Sequence, residues 1–175
     1  MAIERSKRPL AAARMTSMTR QLLDASSLCA IATVSPGSRA HVNTTYFAWS
    51  PEFDLVWLSD PHAKHSRNIR ANDSVAIAVY DSSQSWGNPD RGIQLFGTAR
   101  EVQGAAAQGP ETLYAMRFPE YRQGELSVYL FYVFRTRRLK LFDEPTFGAG
   151  VFVTASITGQ RRLVWERTEI YGSAA

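Results

Sequence analysis

The sequence predicts a mainly β (α+β) fold, an antiparallel barrel with a few short helices beside it, on three grounds. Short apolar runs recur between clusters of Gly, Pro, Asn, Asp and Ser, the mark of strands joined by tight turns. No strand leads into a long helix and a further strand, so a parallel nucleotide-binding sheet is not expected. At 175 residues, 45% hydrophobic and 21% charged, the chain suits one well-buried domain.

Taken in order, residues 15–24 have helical spacing. Leu28–Val34 reads as a strand, 35–38 as a turn and 41–49 as its antiparallel partner. A turn at 50–52 precedes a third strand at 55–58, which runs into a helix that ends near Asn72 and Asp73. Ser74–Tyr80 is apolar on both faces, and with 93–102 it reads as a pair of central strands flanking the polar loop 81–90. A short helix is expected over 110–118, with Leu113, Met116 and Arg117 on one face and Pro119 ending it. Residues 126–134 and 138–142 make one long or two successive strands, and Val151–Ile157 and 163–171 a closing hairpin around Gly159. Both faces of 127–134 are apolar or aromatic, and a barrel interior covers only one of them. A helix or a second copy must cover the other, and a homodimer is the expectation.

The formal net charge is +4, and Arg5, Lys7, Arg8, Arg14 and Arg20 against Glu4 account for all of it. The rest of the chain is formally neutral, which argues against nucleic acid as a partner, since that requires clustered charge on the folded body. The expectation for residues 1–24 is a solvated, frayed basic leader followed by the first helix. No apolar run is long enough to span a bilayer, and the leader has no signal-peptide core, so a cytoplasmic protein with no membrane partner is expected. The single cysteine, Cys29, lies in the apolar run 28–32 and reads as a small core residue.

The stretch from Ser59 to Ile69 carries the most chemistry. Asp60 is a helix-capping residue and Pro61 suits a first helical position, placing the helix start near residue 61. Unpaired N–H groups there attract anions, and Lys64, His65 and the Ser59 hydroxyl add donors for a phosphate ester. All three histidines, His41, His62 and His65, fall in one short interval without a nucleophile partner or the paired spacing of a zinc site. No metal is expected.

In this order the motifs Leu28–Val34, the turn Gly37, the strand 41–47, the 59–68 seat and the run Gln94-Leu95-Phe96-Gly97-Thr98-Ala99 resemble the pyridoxamine 5′-phosphate oxidase-like FMN-binding split-barrel superfamily, over about residues 25–145. The resemblance implies a six-stranded antiparallel split barrel that pairs into a homodimer, with FMN in grooves at the interface. Residues 146–175 are then a hairpin extension of the same domain. It implies that Ser59, Lys64 and His65 hold the FMN phosphate; the family usually has Lys or Arg where this chain has His65, with His the mark of some branches. It implies that Asn43, Thr44 and Thr45 run along the isoalloxazine edge, with Asn68 and Gln94 as further cofactor contacts, although the oxidase's own glutamine falls nearer Gly92.

The substrate-gripping Trp, Gly and Arg-Pro pattern of the true oxidase has no match after Val151, so vitamin B6 oxidation is not expected. Asp143 and Glu144 read as a solvated turn that ends a strand, with a substrate contact as the lesser alternative. The implied activity is an FMN-dependent oxidoreductase acting on a small organic molecule, with NAD(P)H as a candidate donor and Trp49, Trp57 and Trp86 as candidate groove-lining aromatics. Trp86 has an equal alternative as a loop anchor packed on the barrel. A flavin-storage or sensor protein and an F420-dependent reductase are the alternatives. Haem is disfavoured because no histidine follows His65.

Overall fold

A computed structural model describes residues 2–6, 9–122 and 128–172. The elements are β1 (Ala2–Ser6), α1 (Ala12–Asp24), β2 (Leu28–Val34), β3 (Ala40–Tyr46), β4 (Ala48–Trp49), β5 (Leu55–Ser59) and α2 (Lys64–Ala71). They continue with β6 (Ser74–Tyr80), β7 (Arg91–Val102), α3 (Gln108–Arg117), β8 (Leu130–Asp143), α4 (Glu144–Phe147), β9 (Val151–Ile157) and β10 (Leu163–Gly172). The fold is mostly antiparallel sheet with a few short helices, as expected. Contacts divide the chain into a terminal unit of residues 1–26, 78–95 and 137–175, and a central unit of 27–77 and 96–136.

In the terminal unit β1 pairs with β10, β10 with β9 and β9 with the second half of β8, all antiparallel. The leader is therefore not simply a frayed tail: backbone pairing of Ala2–Ser6 with 168–172 holds it, something a count of charges does not register. Helix α1 buries Met15, Met18, Leu22 and Leu23 at helical spacing and packs on β10. Asp143 corrects the solvated-turn expectation. It is 3% exposed, accepts a hydrogen bond from the Thr146 N–H at 3.1 Å as the cap of α4, and pairs with Arg91 at 3.4 Å.

In the central unit β2 and β3 form the expected hairpin, Ile31 opposite Asn43 and Thr33 opposite His41. Ser38 N–H closes the turn on Ser35 O at 2.9 Å, and Ser38 takes a left-handed φ of 56°. The predicted single strand 41–49 breaks at Phe47, whose side chain is fully buried, and resumes as β4 paired with β5. Strand β5 also pairs with the first half of β8, Trp57 opposite Tyr132 and Ser59 opposite Leu130. The Trp57 and Tyr132 rings stack at 5.6 Å and 10°, both fully buried, an offset contact worth about 1 kcal/mol beyond the area it hides. Of the predicted strand 126–134, residues 126 and 127 lie outside the described residues, Val128 and Tyr129 are exposed, and the strand proper starts at Leu130.

Candidate functional site

Strand β5 is anchored by Leu55, Val56 and Trp57, all buried, and ends at the half-buried Ser59. Helix α2 begins at Lys64, later than the sequence suggested. The Asp60 carboxylate accepts from the His62 N–H at 2.7 Å, forming a turn of its own, and Ala63 stays extended at ψ 154°. Asp60 thus stabilises the turn before the helix, and the helix has no side-chain cap.

Every carbonyl of that turn is drawn back along the helix flank. Asp60 O accepts from the Ser66 hydroxyl at 2.7 Å and from the Ala63 N–H at 3.1 Å. Pro61 O accepts from Arg70 Nη2 at 2.6 Å, and His62 O from Arg67 Nη1. With those carbonyls engaged along the flank, the mouth of the turn presents donors. The first intrahelical acceptance on this turn is Arg67 N–H on Ala63 O, so the N–H groups of Lys64, His65 and Ser66 precede the hydrogen-bonded ladder. Lys64 is exposed beside them. Such an end favours an anion on both dipole and hydrogen-bond grounds.

His65 enters this seat from inside the protein. Only 4% exposed, it shares a hydrogen bond between Nε2 and Ser59 Oγ at 2.8 Å, and its ring meets Tyr132 edge-on at 6.4 Å. Burial pushes the imidazole below its usual range; the nearby His41 adds to this and Asp60 opposes it. His65 therefore sits beneath the Ser59 hydroxyl, not at the mouth of the turn.

Asn68 also faces inward. It is 3% exposed, its Nδ2 donates to Thr33 Oγ1 at 3.0 Å, and it ties α2 to β2. On the edge strand β3, exposure alternates, so Asn43 and Thr45 share the face of buried Cys29 and Ile31. Thr44 lies on the opposite, outward face, between Val42 and Tyr46. That outward face is largely apolar: Leu28, paired with Tyr46, is 45% exposed, Val42 62% and Tyr46 54%. Gln94 belongs to the terminal unit and is exposed on β7.

Of the candidate groove aromatics, Trp57 is core and lines nothing, while Trp49 is half-buried against Phe53. Trp86 is fully exposed in the terminal unit's 81–90 loop, so it is not an anchor packed on the barrel.

Sequence reasoning missed the tie-back residues Ser66, Arg67 and Arg70 and the pair behind them. Arg70 Nη1 meets Glu101 Oε2 at 2.8 Å, and the Tyr132 hydroxyl donates to the same oxygen at 3.0 Å. Burial raises the Glu101 carboxyl, but hydrogen bonds from Gln103, Tyr132 and Arg70 outweigh it and hold it below the usual carboxylate range. The only signal was Ser, Arg and Arg at helical spacing, which reads equally as a solvated face. Among the described residues no group of His, Cys, Asp and Glu is placed to hold a metal ion, and no helix is long and apolar enough to cross a membrane.

Residues 15–123 match the family model described as pyridoxamine 5′-phosphate oxidase, more than half of the chain. The chain belongs to this family. Among solved structures with its fold is a haem-binding protein from Mycobacterium smegmatis, at 16% identity and TM-score 0.68. The match covers 86% of this chain but only 60% of that one. HutZ, a haem storage protein from Vibrio cholerae, matches at 18% identity and TM-score 0.58 over 67% of this chain and 87% of its own. An F420 reductase matches at 22% identity and TM-score 0.54, over 69% and 94%. No curated protein matches the chain. At these identities the neighbours fix the fold, and the family's split barrel is the frame in which the seat stands.

Proposed function

We propose that this family member binds FMN by its terminal phosphate at the Ser59–Lys64–His65 seat and acts as an oxidoreductase on a small organic molecule. The tied-back turn carries the reading. Side chains of α2 occupy the carbonyls of Asp60, Pro61 and His62, leaving backbone N–H groups, the Ser59 hydroxyl and the Lys64 ammonium to meet an anion.

The rest of the cofactor fits the outward side of the β2–β3 hairpin. There Thr44 and the edge of β3 offer polar groups beside Ala30, Ala32 and Val42. The same exposed apolar face supports a homodimer in which a second copy completes the groove. A bound flavin supplies the electron-accepting ring and its reactivity with oxygen. The chain's part is to hold the phosphate, orient the ring and keep water from it, and NADH or NADPH is the candidate donor.

Purification without added cofactor tests this. A yellow protein that releases FMN on denaturation, bleaches with NADH or NADPH and recovers with substrate supports an oxidoreductase. Bleaching without any substrate-dependent recovery supports a storage or sensor role. Flavin content unchanged in Lys64→Ala/His65→Ala overturns the seat.

Two further cofactors, haem and F420, belong to the same titration because solved proteins of this fold include a haem-binding protein, a haem storage protein and an F420 reductase. Haem needs an accessible axial ligand, and the burial of His65 leaves the exposed His62 as the imidazole most open to solvent. The long anionic tail of F420 asks for more basic residues than the formally neutral body of the chain supplies.

A further inference from the structure

We infer that His65 is a positioning residue: through its hydrogen bond to Ser59 it turns the serine hydroxyl toward the bound anion, and so sets how strongly the seat prefers a phosphate monoester over the same molecule without phosphate. A serine hydroxyl has one proton and two lone pairs, and a fully ionised phosphate oxygen only accepts. When Ser59 donates to phosphate, its 2.8 Å contact with His65 Nε2 is a hydrogen bond only if the proton sits on Nε2 and points at Oγ. Without an anion the reverse arrangement, Ser59 donating to a bare Nε2, is equally available. Anion binding and the proton on Nε2 are therefore coupled, and the imidazole orders the serine without touching the ligand.

The surroundings permit this role and fix its sign. His65 cannot swing out to meet the anion, since it is 4% exposed with Tyr132 against its ring edge. The titratable and charged groups around it are Asp60 in the turn, His41 on β3, Tyr132 on β8 and Lys64 on its own helix. Burial and His41 keep the free imidazole neutral more readily than usual, and Asp60 opposes them. A phosphate held on Ser59 draws the imidazolium, so the histidine-dependent part of the preference is largest at the acid end and fades as pH rises through the bound-state pKa of His65. Phosphate takes up its own proton near pH 6, which works the other way but is common to every variant.

This inference rests on the proposed seat, and the experiment separates the two. FMN and riboflavin differ only by the phosphate. Both are titrated by flavin fluorescence against the full chain, from about pH 5.5 to about pH 8.5, a window around the ordinary imidazole value. The proteins are wild type, Ser59→Ala, His65→Phe, the double variant, and His65→Gln, whose side-chain amide places an N–H near the position of Nε2. Ser59→Ala and His65→Phe each lower the FMN-over-riboflavin preference about tenfold, the size of one charge-assisted hydrogen bond. The double variant falls no further than either single one, and His65→Gln keeps the preference with a flattened pH profile.

Losses that multiply in the double variant overturn the inference, as does a riboflavin affinity that drops in step with FMN, or a wild-type pH profile in His65→Gln. If wild type binds neither flavin, the flavin reading falls, and inorganic phosphate is titrated instead against the His65 ring signals in NMR spectra. A phosphate-dependent movement that Ser59→Ala abolishes supports the relay, and its absence overturns it.

Discussion

The link between α2 and β2 makes a quantitative prediction, because its donors and acceptors form a short closed chain. Asn68 Nδ2 donates to Thr33 Oγ1 at 3.0 Å, and Thr33 Oγ1 donates to His41 O at 3.5 Å. Asn68 and Thr33 are 3% and 1% exposed, so water replaces neither partner. Thr33→Val keeps the shape but orphans the Asn68 amide and loosens the His41 carbonyl, at a cost of about 2–3 kcal/mol. Asn68→Leu removes only what Thr33 accepts and leaves its donation intact, so the cost is about 1 kcal/mol. The double variant removes donor and acceptor together and is expected to lose only about 1 kcal/mol in total, a coupling of about 2 kcal/mol.

Urea unfolding measures this directly. At an m-value of about 2 kcal/mol per molar, Thr33→Val shifts the midpoint down by roughly 1 M and the double variant by about half that, with m unchanged. If the double variant loses the sum of the two single losses, the contact carries no coupling and the account of Asn68 as a link is wrong. The double variant also asks whether Asn68 serves a ligand. An FMN affinity equal to wild type assigns the residue to the scaffold, whereas a selective fall returns it to the seat.

Three other outcomes follow from the same structure. Gly97→Ala sets a Cβ against the Arg135 carbonyl oxygen, with Arg135 C at 3.0 Å and Phe134 Cζ at 3.1 Å, so strands must separate. A loss of about 3 kcal/mol or more is expected in thermal or urea melts, against little change for Gly37→Ala, where only Arg39 Nε comes near at 3.8 Å. Glu101 has a folded carboxyl held below its usual range, so its stabilisation is complete above the unfolded value of about 4.3 and lost as pH falls through the folded one. The stability gap between wild type and Glu101→Gln should therefore narrow as pH falls below the unfolded value of about 4.3, and a gap that does not narrow there refutes the assignment. Cys29 is 2% exposed and burial pushes its thiol up to about 12, the nearby Arg117 opposing only in part, so a thiol reagent at neutral pH leaves it unmodified until the chain is denatured.

Local patterns determined most of the architecture. Alternation in Leu28–Val34 and the turn at 35–38 are properties of neighbouring residues, and the hairpin they predict is present with Cys29, Ile31 and Thr33 inward. The order of motifs likewise pointed to the family, because each motif is read along the chain.

Tertiary structure decided what depends on partners distant in sequence. The helix start moved because Asp60 found a nearer donor in His62. Asp143 became a buried cap because Arg91 lies across from it, and Ala2–Ser6 became a strand because β10 offers an open edge. Whether a buried histidine meets a ligand or a serine is a matter of which way one ring faces, and no spacing records that. Sequence specifies donors, acceptors and apolar faces; only folding matches them, since each hydrogen bond or buried contact is a property of two groups and of the space between them.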